Sequence, residues 1–300
     1  MQSAIATGLN LDELLQRGVD LKASDVHLHS GYPLMVRMAG NVVPIDDVPL
    51  NNDILRETLL AILSERDKQE FAKKKDVDFT HEIPEVARFR GSLFMSHLGI
   101  NASFRILPPT PASLEALKLP ASLSRFTEYH HGIVLITGPA GCGKSTTLSA
   151  LVNLVNENHK GSHILTLEEP IETLHTNKGC VVNQRQVFLH TSSYERAMRA
   201  ALREDPDVII IGEMRDAETI ALALTAAETG HLVMASMHTT DSIKSISRIV
   251  DAFHPDKQSQ IRTMLAESLQ AVFSQVLLPT VDGTSRVLAY ELLFVTPAIS

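Results

Sequence analysis

Gly138-Pro139-Ala140-Gly141-Cys142-Gly143-Lys144-Ser145 follows the apolar run Ile133–Thr137 and opens a stretch of helical spacing, Lys144–Asn156. The segment matches the pattern G-x-x-x-x-G-K-S/T in the strand-then-helix setting that gives this pattern its meaning. Its glycines let the backbone wrap an anion without side-chain obstruction. Backbone N–H groups and the start of the helix then face phosphate oxygens. Gly138, Pro139, Ala140, Gly141, Cys142, Gly143, Lys144, Ser145 and Thr146 are therefore the expected nucleotide cradle. Lys144 is expected to reach the β- and γ-phosphates and Ser145 to ligate Mg²⁺, so ATP and Mg²⁺ are the implied ligands. Cys142 reads either as an oxidation-sensitive group or as a small residue filling a small space.

Outward from the loop, three further apolar runs end in polar chemistry. Val208–Ile211 leads into Gly212-Glu213, the form of a strand whose terminal carboxylate orients Mg²⁺ or its water. Leu165-Thr166-Leu167 leads into Glu168, Glu169 and Glu172. Crowded carboxylates repel one another unless a cation neutralises them, and one of them can polarise an attacking water. Leu232–Ser236 leads to His238, which reads either as a γ-phosphate contact or as a structural histidine. His231 begins that run and is expected at the opposite end.

Phosphoryl transfer also calls for positive charge around the equatorial oxygens. Arg88 and Arg90 alternate with Phe89, so both project from one strand face while Phe89 points to a core. Together with Arg105 they are candidates, and a solvated face is the alternative. Arg199, Arg203 and Arg215 are the candidates of the second domain. Arg199 and Arg203 share a helix face and could pair with Glu204, Asp205 or Asp207 instead.

The alternation of strands and helices after the loop predicts an α/β domain with a mostly parallel, doubly covered sheet. Beyond the runs already named, strands are expected at His163–Leu167, Val181–Gln184 and, as a pair, Thr284–Phe294. Helices are expected at Ser122–Tyr129, Tyr194–Glu204, Ala217–Glu228, Ser242–Phe253 and Lys257–Leu277. The first part of the chain reads as a small antiparallel sheet with helices on one face. Its strands are Asp25–His29, Leu34–Met38, Val42–Ile45, Val77–His81, Ala87–Met95 and Ala102–Leu107. One helical run covers Asp53–Lys74, and Ala39-Gly40-Asn41 supplies a turn. Pro108, Pro109 and Pro111 fix φ and remove donors, which places a boundary at 108–112. The expected organisation is an N-terminal α+β domain over 1–110, a linker over 111–125 and an ATPase domain over 126–300.

Composition narrows the class. The chain has 300 residues, 44% hydrophobic and 21% charged, which is ordinary globular chemistry. A formal net charge of −8 argues against a dominant nucleic-acid surface, so no nucleic-acid partner is expected. Two cysteines, Cys142 and Cys180, form no stapling framework, which fits a reducing compartment. No run reaches the ~18 apolar residues of a membrane span, and the N-terminus lacks a signal-peptide pattern. A cytoplasmic protein is the expectation.

The ordered set of motifs resembles the secretion and type IV pilus ATPases, and within them the twitching-motility retraction branch. The blocks that carry it are Ala23–His29, Arg88-Phe89-Arg90, Gly138–Ser145, Ile164–Glu172 and Asn183-Gln184-Arg185. Ala201–Asp207, Gly212–Asp216, Thr225–His231 and Glu267–Gln275 continue it. The resemblance implies a RecA-like P-loop ATPase domain preceded by a small PAS-like α+β domain. It also implies a homo-hexameric ring with nucleotide between the two domains, close to a neighbouring subunit. The segment at Glu168–Glu172 matches the family's Asp box, with Glu172 in the place of the catalytic glutamate. Glu213 matches the Walker B glutamate, His238 falls in the His box, and Arg88, Arg90 and Arg105 match arginines that approach nucleotide. The implied metal set is Ser145, Glu169 and Glu213. The implied role is pilin extraction by a cytoplasmic ring docked on an inner-membrane platform protein, in some systems beside a paralogous retraction ATPase. An accessory paralogue, a related secretion ATPase and a nucleic-acid motor are the alternatives. Glu169 stands where the family usually has Asp, and Ala140 and Cys142 stand where it usually has Thr and Ser. The retraction branch also usually continues past Pro297-Ala298-Ile299-Ser300 with a helical segment.

Overall fold

The computed structural model describes residues 9–38, 40–107, 110–281, 285–296 and 298. The chain divides at the Pro109–Thr110 junction into two compact units.

The first unit begins with helix α1, Leu11–Asp20, whose N-cap Asn10 accepts a hydrogen bond from the Glu13 N–H. This helix has no counterpart in the sequence reading. Strands β1 (Asp25–His29), β2 (Met35–Met38) and β3 (Asn41–Pro44) follow, then helices α2 (Asn52–Ala61) and α3 (Glu65–Lys74). Strands β4 (Asp76–Ile83), β5 (Ala87–Ser96) and β6 (Gly99–Leu107) complete it. The single helix expected over Asp53–Lys74 is thus two. Ser64 interrupts it, accepting from the Asp67 N–H at 3.2 Å and so capping a new helix. Ala39 of the expected turn, and Pro108 and Pro109 of the expected boundary, lie outside the described residues.

The strands form one antiparallel sheet in the order β3-β2-β1-β6-β5-β4. Its register aligns Val26, Phe104, Gly91 and Phe79 across neighbouring strands, on the face that holds the aliphatic and aromatic core with α1, α2 and α3. A Cβ at Gly91 would lie 2.5 Å from the Phe79 ring, so the strand needs glycine there for room. The opposite face carries Asp25, Arg105 and Arg90, also aligned across β1, β6 and β5.

The second unit opens with turns and a 3₁₀ helix, Ala121–Thr127. Then come β7 (Gly132–Thr137), α4 (Lys144–Asn158), β8 (His163–Glu168), β9 (Val181–Gln186) and α5 (Tyr194–Ala201). After them run β10 (Val208–Ile211), α6 (Ala217–Glu228), β11 (Leu232–Met237), α7 (Ser242–Asp251) and α8 (Pro255–Ser268). Strands β12 (Leu269–Pro279) and β13 (Arg286–Phe294) close the unit. The sheet order is β13-β12-β7-β11-β10-β8-β9, parallel throughout except for the β12–β13 pair.

Both faces are covered. Leu135, Leu165, Ile209 and Val233 pack with residues of α5, α6, α7 and α8. Val134, Ile164, Ile210 and Met234 pack with α4 and with Phe126 of the 3₁₀ helix. This double burial explains why the central strands read as unbroken apolar runs. Two expectations are corrected. The helix expected over Lys257–Leu277 stops at Ser268, and Leu269–Pro279 is a strand paired in parallel with β7. The apolar run 269–273 fits either period locally, and the open slot beside β7, with both faces of the sheet to fill, decides for strand. The strand pair expected within Thr284–Phe294 is instead the single β13, whose hairpin partner is β12. Thr284 and the residues Pro297, Ile299 and Ser300 fall outside the described residues.

Candidate nucleotide site

The parallel strands β7, β8, β10 and β11 end at the same edge of the sheet, and the residues that follow them form the candidate site. After β7 the loop turns through Gly138 (φ 148°) and reaches α4 through Gly143 (φ 91°). A side chain at Gly138 would place its Cβ 2.2 Å from the Gln275 carbonyl oxygen and 2.6 Å from the Cys142 Sγ, so both conformation and space demand glycine. Helix α4 has no side-chain cap, which leaves its first N–H groups available to an anion. Pro139, Ala140, Gly141, Ser145 and Thr146 are exposed around that helix start, while Cys142 is buried against the loop. Burial pushes the Cys142 thiol up against the opposing pull of Lys144.

Lys144 is only 7% exposed. Its Nζ donates to the carbonyls of Gly138 and Pro139, each at 2.9 Å, and lies 3.3 Å from His238 Nδ1. Burial pushes the ammonium down from its ordinary value, opposed by Cys142 and Glu213. His238 Nε2 in turn lies 3.0 Å from Glu213 Oε1, and Arg215 donates to Glu213 Oε2 at 2.6 Å. An ammonium can only donate, so His238 accepts at Nδ1 and its proton sits on Nε2, facing Glu213. Burial raises the Glu213 carboxyl, but the hydrogen bonds and charges of Arg215 and His238 outweigh it and hold the group below the usual carboxylate value. Lys144, His238, Glu213 and Arg215 therefore form one connected chain across three strand ends.

The acids after β8 lie beside it. Glu168 Oε1 accepts from Thr166 Oγ1 at 2.6 Å and from Gln184 Nε2 at 3.1 Å, and Glu169 is exposed. Glu172 is half-buried in the irregular segment that follows. Tyr194, at the start of α5, is mostly buried, and burial with the nearby Glu169, Glu168 and Glu213 carboxylates pushes its phenol far above the ordinary value. It stays a neutral hydroxyl among acids. Among the described residues no His, Cys, Asp and Glu group of three is arranged as a metal cage. Mg²⁺ takes one or two protein ligands together with phosphate oxygens and water, and the exposed Ser145 hydroxyl at the start of α4 and the exposed Glu169 carboxylate are oxygen donors of that kind. The residues present therefore fit a magnesium nucleotide.

Sequence reasoning missed three contributors. Gln275 of β12, 4% exposed, donates from Nε2 to the Cys142 carbonyl at 2.6 Å and accepts from Thr147 Oγ1 at 2.8 Å. Ser274 shares a 2.7 Å hydrogen bond with Thr137. Gln275 fell in the stretch read as helix, although it closes the block Glu267–Gln275 that carried the resemblance. Tyr194 was read only as the start of a helix.

The remaining candidates have partners within their own units. Arg88, Arg90 and Arg105 lie in the first unit, facing away from buried Phe89, and pair there with Glu82, Asp78 and Asp25 at 3.2, 3.5 and 3.1 Å. Arg199 pairs with Glu195 at 2.8 Å, and Arg203 donates to the Arg199 carbonyl at 2.8 Å. Glu204 is taken by Arg185 at 2.7 Å, and Asp207 accepts from the His163 N–H at 2.7 Å. Among the described residues, none of the three acids expected for Arg199 and Arg203 pairs with either. His231 lies at the start of β11, with Nδ1 3.0 Å from the Ala226 carbonyl and away from the loop-side edge.

A Gly-rich loop between a central strand and its helix, with carboxylates and a histidine on neighbouring strand ends, defines a RecA-like P-loop ATPase. The model of the type II/IV secretion system protein family matches residues 3–294. A type IV pilus retraction ATPase, PilT of Pseudomonas aeruginosa, is 45% identical over 291 residues, covering 97% of this chain and 84% of the relative. A twitching motility protein of Neisseria gonorrhoeae is 46% identical over 265 residues, covering 88% and 71%. The crystal structure of the pilus retraction motor PilT with bound ADP superposes with a TM-score of 0.90 at 42% identity, covering 97% of this chain and 84% of that one. The chain belongs to the type II/IV secretion system ATPase family. No helix among the described residues is long and apolar enough to cross a membrane.

Proposed function

We propose that this chain is a Mg²⁺-dependent ATP hydrolase that works as a homo-hexameric ring and drives type IV pilus retraction. The observation that carries the reading is the continuous contact from Lys144 through His238 to Glu213 above the P-loop. In this reading Lys144 leaves its loop carbonyls for the β- and γ-phosphates, and the N–H groups at the start of α4 hold the phosphate oxygens. Ser145, Glu169 and Glu213 are the residues assigned to Mg²⁺, which supplies charge neutralisation on those oxygens when bound. Glu172 orients the attacking water. His238 senses Lys144 and Glu213 at once, so its hydrogen bonds register whether Lys144 is engaged by phosphate. High identity to a retraction ATPase along nearly the whole chain supports the pilus role, and an inner-membrane platform protein is the proposed docking partner.

The test has two parts. Purified protein is assayed for phosphate release with MgATP, and cells lacking their retraction ATPase are complemented with this chain. Hydrolysis together with restored twitching is the expected result. Hydrolysis without any restored retraction in cells would reject the pilus role and keep the ATPase.

A further inference from the structure

The connection from β8 to β9, residues 169–180, carries Glu169 and Glu172 yet contains no helix or strand. It is a parallel crossover held by side chains and by the Gly179 N–H, which donates to the Asn156 carbonyl at 2.7 Å. The edge strand β9 holds it with alternate residues of one face. Gln186 Oε1 accepts from the Ile171 N–H at 3.2 Å. Gln184 Nε2 donates to the Thr173 carbonyl at 2.9 Å, and Gln184 Oε1 accepts from the His175 N–H at 2.8 Å. The residues directly before and after Glu172 are thus both bound to this pair of amides. Asn183 and Arg185, on the other face of β9, are engaged by His163 and Glu204.

The far side of the segment is fixed to the P-loop helix. Ser149 Oγ lies 3.3 Å from His175 Nε2. Asn156, 1% exposed, donates to the Thr176 carbonyl at 2.7 Å and accepts from the Lys178 N–H at 3.0 Å. The segment therefore spans from α4 to β9, with Glu172 at the β9 end.

The amide chemistry is specific. The segment presents both a C=O and an N–H to Gln184, and its amide meets the two at once, donating from Nε2 and accepting at Oε1. A carboxylate there would lose the Thr173 contact and repel Glu168, whose Oε1 accepts from the same Gln184 Nε2.

We propose that Gln184 and Gln186 are positioning residues that set the carboxylate of Glu172 for hydrolysis. This rests on Glu172 being the water-orienting acid. A displacement of about 1 Å at a reacting group can cost about 10²-fold in rate, so loss of these contacts should appear in kcat.

The experiment compares the wild-type ring with Gln184→Met/Gln186→Met, Gln184→Glu and Glu172→Gln, each confirmed as an intact oligomer. Methionine keeps the volume and removes the amide. The double variant and Gln184→Glu should each lose at least about tenfold in kcat. KM for MgATP and affinity for a fluorescent, slowly hydrolysed ATP analogue should stay within about twofold. Hydrogen exchange at the Ile171 and His175 amides should accelerate. If Glu172→Gln is inactive while the double variant turns over like wild type, the positioning role is wrong. Nucleotide affinity falling in step with kcat would overturn it too, since that marks general support of the fold. Wild-type turnover in Glu172→Gln would instead remove the reading beneath it. Should the double variant lose its oligomer, Gln186→Met alone is read by the same criteria.

Discussion

Gln275 reaches from β12 to donate a 2.6 Å hydrogen bond to the carbonyl of Cys142, inside the P-loop. The same side chain accepts from Thr147, one turn into α4. A strand at the sheet's interior thereby ties the phosphate loop to its helix, and Thr147 and Gln275 are both buried. Leaving a buried donor or acceptor without a partner costs about 1–3 kcal/mol. Gln275→Leu should lower the melting temperature and weaken MgATP binding by roughly tenfold, because the loop loses its preset shape. Titration with a fluorescent nucleotide reads the affinity directly. An unchanged dissociation constant would mean that the loop holds its shape without this brace.

Lys144→Ala removes both the charge intended for the phosphates and the donor to Gly138, Pro139 and His238. Steady-state phosphate release should fall by at least about 10²-fold, with weaker nucleotide binding. Because Lys144 is nearly buried, the smaller side chain also leaves His238 Nδ1 without its partner. Turnover equal to wild type would end the assignment of this loop as the catalytic cradle.

Glu172→Gln and Glu213→Gln separate two kinds of carboxylate. Glu213 is tied into the Lys144–His238–Arg215 chain, so its neutral analogue should disturb magnesium nucleotide binding as well as turnover. Glu172 lies on the segment held by Gln184 and Gln186. Glu172→Gln should keep nucleotide affinity and lose about 3 kcal/mol of transition-state stabilisation, roughly 10²-fold in rate. Binding and single-turnover measurements on both variants check the contrast. Parallel losses of affinity would place the two carboxylates in one role.

Much of this was legible in the sequence because the signals were local. The P-loop pattern, the apolar runs 133–137, 208–211 and 232–236, and helix 217–228 stand within a residue or so of where they were expected. Arg88, Phe89 and Arg90 alternate as strand geometry requires, with Phe89 fully buried. What escaped was set by distant partners. Leu269–Phe273 becomes a strand because β7 offers an open edge, and Gln275 matters only through that pairing. Arg203 was matched with acids near it in sequence. Glu204, however, turns to Arg185 on β9, a pairing that depends on the strand order. Ser64 was the exception. Its cap was local and readable, but the apolar spacing on either side of it masked the break.

His175 gives the stability a pH dependence with a definite sign. Burial, and then the charge of Lys178, push its pKa from 6.5 down to about 4. In the unfolded chain the imidazole regains its ordinary value. Between those two values the unfolded state therefore binds a proton that the folded state refuses. Stability from the neutral ring is complete above about pH 6.5 and declines as pH falls through that window, by on the order of 3 kcal/mol in total. The wild-type melting temperature should drop between pH 8 and pH 5. In His175→Gln this particular drop should shrink, although loss of the Ser149 contact lowers its melting temperature at pH 8. Thermal unfolding of both proteins across pH 5–8 decides it, since identical pH slopes would show that the ring is not held neutral. Because His175 links α4 to the segment bearing Glu172, the same acid window should reduce turnover in the wild type before the fold is lost.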